Sequence, residues 1–285
     1  MSMVTRMLAA VPRWAYTPLR KLRTIVLVAA EPFDMLHRRL TGRRNLPPLW
    51  LRRHVGPVGA YERAPGEIAA IVALRALVSP HSRVLDLGCG SGAMAFEFRR
   101  FLGPDGRYTG FDVHEPSLRW SRKRFKGDAR FSFELARVAT PYSAGHKGDA
   151  MQYRFPAATH TVDFALAKSL FTHLLEAEAR HYFMELARVL TREGRALVTA
   201  FLPRDEGETR LAGAEFEFPY GGPDVWYRVR AKPTAAVAYR QDYFADMLRE
   251  AGLEIDEFIA GDWRGTGIAP NAQDVVIVKR SSLLT

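Results

Sequence analysis

One stretch constrains this chain more than any other: VLDLGCGSGAMAF, residues 84–96. Apolar residues flank a single acid, Asp86, and three glycines then stand two apart at Gly88, Gly90 and Gly92. An apolar run, a glycine cluster and a second apolar run predict a strand, a tight turn and a helix. Glycine allows the turn to take positive φ and lets the backbone approach a ligand with no Cβ in the way. The helix that follows offers its N-terminal N–H groups to a negative group.

The rest of the chain repeats that rhythm. Helical spacing runs through GEIAAIVALRALV (66–78), EPSLRWSRKRF (115–125), LLEAEARHYFMELARVL (174–190) and QDYFADMLREAGLEI (241–255). Strands are expected at 107–113, 130–138 and 159–169, after a glycine-containing turn in 192–202, just past Gly252, and at 274–280. Alternating strands and helices predict an open, mainly parallel sheet with helices on both faces. In such a sheet, ligands bind at the carboxyl ends of the strands, where the strand order reverses.

Charge divides the chain. Residues 1–60 hold eleven Arg or Lys and two acids, Glu31 and Asp34, a net +9; the other 225 residues hold 30 basic and 29 acidic, a net +1. We therefore expect a basic, helical N-terminal arm at 1–56 and a nearly neutral domain at 57–285. The arm admits several readings: a helix on an anionic membrane surface, an extension packed on the domain, a pairing element, with which a homo-oligomer is compatible, a signal peptide, or an organellar transit peptide. Its longest apolar run, residues 24–30, is too short to span a bilayer. The only cysteine, Cys89, excludes an internal disulfide and fits a reducing compartment. The expected location is cytoplasmic, peripheral at the inner face of the membrane if the arm binds lipid.

The glycine spacing is G-x-G-x-G, not the G-x-G-x-x-G of dinucleotide sites, which disfavours a nicotinamide oxidoreductase. Asp86 would be badly placed beside a pyrophosphate and well placed near a cation. Asp112 ends the next strand, 24 residues after Gly88, where a carboxylate can hold both ribose hydroxyls. The ligand implied has a ribose and a cationic amino-acid part, and S-adenosylmethionine fits it.

VLDLGCGSGA followed by GFDV resembles the first two motifs of class I S-adenosylmethionine-dependent methyltransferases. The likeness continues through DFALAKSLFTHLL, ELARVLTREGRALVTAFL, AVAYRQDYFADMLREAGLEI, GDWRG and QDVVIVKR, over roughly 57–280. It implies a three-layer, seven-stranded Rossmann-like sheet whose last strand is antiparallel. It also implies that Gly88, Cys89, Gly90 and Gly92 line the methionine part, with Asp86 near its amino group. Asp112 should hold the ribose, Val113 the adenine face, and Ala167 and Lys168 should meet the cofactor and face the acceptor. The family often places an acid after the third strand for the adenine amino group. Direct alignment puts Arg137 there, which cannot accept a hydrogen bond, while Asp149 in HKGDAMQY takes the role if the preceding segment is an insertion.

A hydroxyl acceptor needs a base near the methyl group. His173 is the first candidate, and Lys168 and Tyr182 are further ones; each has an alternative role in packing or capping. No cluster has metal-ligand spacing, so no metal is expected. Residues 203–240 interrupt the rhythm, and FEFPYGGPDVWYRV suggests a hairpin that forms a lid or acceptor pocket. Phe216, Phe218, Tyr220, Trp226, Tyr227 and Trp263 either stack on the acceptor or form a small core of their own. The acceptor expected is a small molecule: a sugar, a lipid-linked compound or a secondary metabolite, methylated on oxygen. The alternative is an RNA methyltransferase that grips phosphates with the arm. No Asn/Asp-Pro-Pro-Tyr motif supports nucleic acid as a partner, and the cysteine is not placed to attack a base. A binding scaffold without turnover is the non-enzyme reading.

Overall fold

The computed structural model describes residues 13–43, 45–52, 60–140, 143, 145–211, 213–267, 269 and 271–282. The chain divides into two compact units, Met1–Pro65 and Gly66–Thr285. The arm before residue 13 and the expected boundary at 56/57 lie outside the described residues. The first unit contains α1 (Arg13–Leu40) and α2 (Leu49–Arg52), and α3 (Ala60–Leu74) runs from it into the second.

The second unit continues with β1 (Arg83–Leu87), α4 (Ala93–Phe101), β2 (Arg107–Asp112), α5 (Glu115–Arg124) and β3 (Phe131–Leu135). Next come β4 (Val162–Ala167), α6 (Glu176–Val189) and β5 (Leu190–Ala200). After the short strands β6 (Tyr220–Gly221), β7 (Val225–Tyr227) and β8 (Val237–Tyr239) follow α7 (Gln241–Glu250), β9 (Leu253–Ile259) and β10 (Asp274–Arg280).

The main sheet has seven strands in the order β3-β2-β1-β4-β5-β10-β9. β3, β2, β1, β4 and β5 are mutually parallel. β10 is antiparallel to both its neighbours. Successive side chains on a strand point to opposite faces, so a covered sheet must feed two cores. Val84 joins one core and Leu85 the other; Phe164 and Leu166 join the first, Ala165 and Ala167 the second. This three-layer sheet is the α/β architecture that the sequence predicts.

Two expected elements differ. The third strand stops at Leu135, short of 138, because β2 ends at Asp112. The last rung is Ala136 N–H donating to Asp112 O at 2.9 Å, and beyond it Val138 pairs with Gly148. The turn expected near Gly194 is a bulge inside β5: Val162 pairs with Leu190, and Phe164 already with Arg195. A Cβ at Gly194 would meet Val162 O at 2.8 Å, so the bulge needs a glycine there.

Residues 203–240 build a second, three-stranded antiparallel sheet, β6-β7-β8. Its ends are closed on each other: Tyr239 N–H donates to Phe201 O at 3.0 Å and Gln241 N–H to Pro203 O at 2.9 Å. Asp274, fully buried at the start of β10, holds the same corner. It accepts from Leu202 N, Gly261 N and Trp263 Nε1, each at 2.8 Å, and from Arg264 Nη1 at 2.7 Å.

Candidate cofactor and acceptor site

Strand order reverses between β1 and β4, so their carboxyl ends form the switch point. The glycine turn sits there. Gly88, Gly90 and Gly92 have φ of 73°, 53° and 73°, the left-handed region that only glycine enters freely. Nothing lies within 4 Å of where a Cβ at Gly90 would point. Gly88 N and Cys89 N donate to Phe111 O at 2.9 and 3.0 Å, which fixes the turn against the end of β2. Cys89 is seated against Gly110, where any Cβ would come within 2.8 Å of its side chain. Its thiol is buried, and burial pushes it well above the usual range, so it is a packing group rather than a nucleophile.

Asp112 binds both sides of this corner. One oxygen accepts from Gly90 N and the other from His114 N, each at 2.8 Å. Burial raises its pKa, and the two N–H groups counter that. A carboxylate has about four lone-pair sites, so both oxygens can accept again, as two ribose hydroxyls would require.

Asp86 lies deeper, 2% exposed, and accepts a hydrogen bond from the Tyr108 hydroxyl. Burial pushes its pKa up to about 7, Asp112 adds to the rise, and Tyr108 and the Lys168 ammonium oppose it. Lys168, just past β4, is itself lowered by burial and held up by Glu67 and Asp86. The folded Asp86 carboxyl keeps its proton up to about pH 7, whereas an unfolded one releases it near 3.8. This contribution to stability is whole below the lower value and lost as pH rises through the upper one. Asp86→Asn should escape the loss: its melting temperature, relative to that of the unaltered chain, should climb between about pH 4 and pH 8. Parallel melting curves would disprove the shift.

Asp149 follows Gly148, the partner of Val138 beyond β3. Asp149 is exposed, and its Oδ1 accepts from Met151 N at 2.9 Å. Arg137 is also exposed and contributes no acceptor. Val113 is half-buried, and Ala167, 1% exposed, ends β4.

His173 lies past β4 in the loop before α6, and its Nδ1 is 2.9 Å from Thr234 O. A carbonyl only accepts, so Nδ1 carries the proton and the neutral ring has its lone pair on Nε2. Burial lowers its pKa, the bond to Thr234 raises it, and Lys232 lowers it further. Thr234 belongs to the segment 203–240, which two more bonds attach to the same loop. Val237 N donates to Thr172 O at 2.8 Å, and Tyr239 Oη to Leu174 O at 2.7 Å. Tyr182 is 5% exposed; burial and the Glu178 and Asp112 carboxylates push its phenol up, so it stays protonated.

The aromatics singled out in the sequence are mostly not an open acceptor surface. Phe218, Trp226 and Trp263 are buried with Phe201, Ala236 and Ala238 in a satellite core, and Phe216 packs on it beneath Arg228. Tyr227 leans on the main core, and of this set only Tyr220 is exposed. Burying four large rings gains more than leaving them to water.

Two features escape a reading of the sequence. Tyr153, with Phe111 and Phe155 at ring distances of 5.4 and 6.3 Å, packs beside the end of β2, and no motif marks it. Ser169 has φ of 58°; its N–H donates to Thr199 Oγ1 at 2.7 Å and its hydroxyl to Gln273 Oε1 at 3.1 Å. These bonds fix the bend of the chain after Lys168. Among the described residues, no group of three or more His, Cys, Asp or Glu is placed to hold a metal ion. Two surface depressions lie away from the strand ends, one beside α5 and β3, the other where β1 and β2 begin.

A family model described as a methyltransferase domain matches residues 84–194. Nocamycin O-methyltransferase of Saccharothrix syringae is 31% identical over 150 residues, covering 51% of this chain and 48% of that protein. The chain thus matches about half the length of this curated relative. The Burkholderia thailandensis 1,6-didemethyltoxoflavin-N1-methyltransferase, solved with bound 1,6-didemethyltoxoflavin and S-adenosylhomocysteine, has a TM-score of 0.52 at 17% identity. The match covers 89% of this chain and 88% of that one. Mitomycin 7-O-methyltransferase MmcR gives 0.51 at 16% identity, over 87% of this chain and 60% of that one. Residues 84–194 thus carry a methyltransferase domain, and the strand order and glycine turn around it support the resemblance to class I S-adenosylmethionine-dependent methyltransferases.

Proposed function

We propose that this chain transfers a methyl group from S-adenosylmethionine to an oxygen of a small-molecule acceptor of the secondary-metabolite class. The observation that carries the reading is Asp112, whose carboxylate caps the glycine turn at the switch point and keeps acceptor capacity on both oxygens. The curated relative, a nocamycin O-methyltransferase, favours oxygen.

In this reading Gly88, Cys89, Gly90 and Gly92 hold the methionine part, with Asp86 setting the local charge beneath them. Asp112 holds the ribose, Val113 and Ala167 pack against the cofactor, and Asp149 takes the adenine amino group. The bound cofactor supplies an electrophilic methyl on a sulfonium. His173 takes the acceptor's proton on Nε2, and its Nδ1–H bond to Thr234 keeps the ring oriented as it becomes positive. Because burial lowers its pKa, His173 is neutral and able to accept a proton at pH 7. Lys168 sets charge at the β4 end, and the insert closes over the acceptor.

Incubation with tritiated S-adenosylmethionine and fractionated small-molecule, lipid and nucleic-acid pools tests the reaction. Label in the small-molecule pool is expected; label in RNA alone would transfer the activity to the phosphate-gripping alternative. His173→Ala should lower kcat about a hundredfold or more while S-adenosylhomocysteine affinity stays within about twofold. An unchanged kcat would remove His173 as the base. The acid limb of the rate profile should lie below the ordinary histidine value of 6.5.

A further inference from the structure

Helix α1 is amphipathic in the reverse of the usual sense. A surface helix normally buries its apolar stripe and exposes its polar face. Here the charged face is the covered one. Arg38, 7% exposed, pairs with Glu31 and Asp34, and Arg52 pairs with Asp34. Glu31 also accepts from Leu49 N at 2.8 Å, and Arg38 donates to Leu46 O at 2.9 Å. All these bonds lie within the N-terminal unit.

On the other side, Ile25, Phe33, Leu36 and Leu40 are 63, 78, 55 and 79% exposed. Val26 and Val28 are 58 and 53% exposed. At 100° per residue these six fall in an arc of about 160°. That arc holds no acid, because both acids of residues 1–60 are tied to arginines on the covered face. Arg39 lies within the arc and Arg43 just beyond the helix, both exposed.

We propose that α1 lies on an anionic lipid bilayer, with this arc in the headgroup–acyl boundary and the arginines among lipid phosphates. The surface calls for a partner that is apolar and negative at once. A second copy of the chain would set arginine against arginine, and the arc is wider than a coiled-coil seam. Among the described residues no helix is long and apolar enough to cross a membrane, so the contact is parallel to the surface. The internal pairing of Glu31 and Asp34 removes the two charges that such a surface would repel.

The test is co-sedimentation of the full chain with phosphatidylcholine vesicles, with or without about one-third phosphatidylglycerol, at low and high salt. Binding to the anionic vesicles is expected, weakening with salt. Leu36→Glu/Leu40→Glu should lower partitioning about tenfold or more. Leu74→Glu, an exposed position in the other unit, should leave it unchanged. Absence of binding, or equal binding to neutral vesicles regardless of salt, would overturn the proposal. So would a dimer in sedimentation velocity that the same double variant dissolves without any vesicle binding.

Discussion

Asp112→Ala should weaken S-adenosylhomocysteine binding about a hundredfold while leaving the domain folded. The side chain joins Gly90 to His114 through one bond on each oxygen. In the proposed complex it also accepts two ribose hydroxyls. Hydrogen bonds to a charged group contribute about 1.5–3 kcal/mol each, so losing two costs at least two decades of affinity after partial compensation by water. Asp112→Asn keeps one accepting oxygen and should fall between the two. Calorimetric titration gives the affinity, and a melting curve on the same samples shows that the fold survives. An alanine variant that binds within about threefold of the unaltered chain would place the cofactor elsewhere.

Asp274→Ala should be the most destabilising single change in the second unit. The carboxylate is fully buried and receives four hydrogen bonds, one from the Arg264 guanidinium. Its removal strands the Leu202 and Gly261 N–H groups and the Trp263 indole. Breaking a buried pair from one side costs about 3–5 kcal/mol, or about 10 °C of melting temperature for a domain of this size. Asp256→Ala provides the contrast. Asp256 pairs with Arg195 and Lys279, but its side chain is 32% exposed, and such pairs contribute about 1 kcal/mol or less. Equal melting temperatures for the two variants would refute the ranking.

The sheet was legible because its strands carry strong local signals. VLDLG and GFDV announce their ends with glycine and acid, and QDVVIVKR announces a strand that cannot be anything else. The position of Asp112 was legible for the same reason, as it is the last residue of one of those strands. The clasp around Asp274 was not, since its four donors come from two segments about sixty residues apart in sequence. Nor was the fate of the insert's aromatics. Whether Phe218 and Trp226 face a ligand or one another depends on the path of 203–240, and exposed and buried rings read alike in sequence. The position of His173 after β4 was legible, but its bond to Thr234 spans 61 residues and leaves no local trace.

The closed corner at Phe201–Tyr239 and Pro203–Gln241 makes the region between them a cassette. The chain leaves the sheet and re-enters it at one point, so the length of the excursion barely affects the entropy of closing it. An ancestor could lengthen, shorten or exchange this segment without moving Asp112 or the glycine turn. In the proposed reading, the choice of acceptor is thereby separated from the handling of the methyl donor, and the two can evolve at different speeds. If that reading holds, grafting the corresponding segment of a relative between these anchors should change the acceptor and leave S-adenosylhomocysteine affinity as it is.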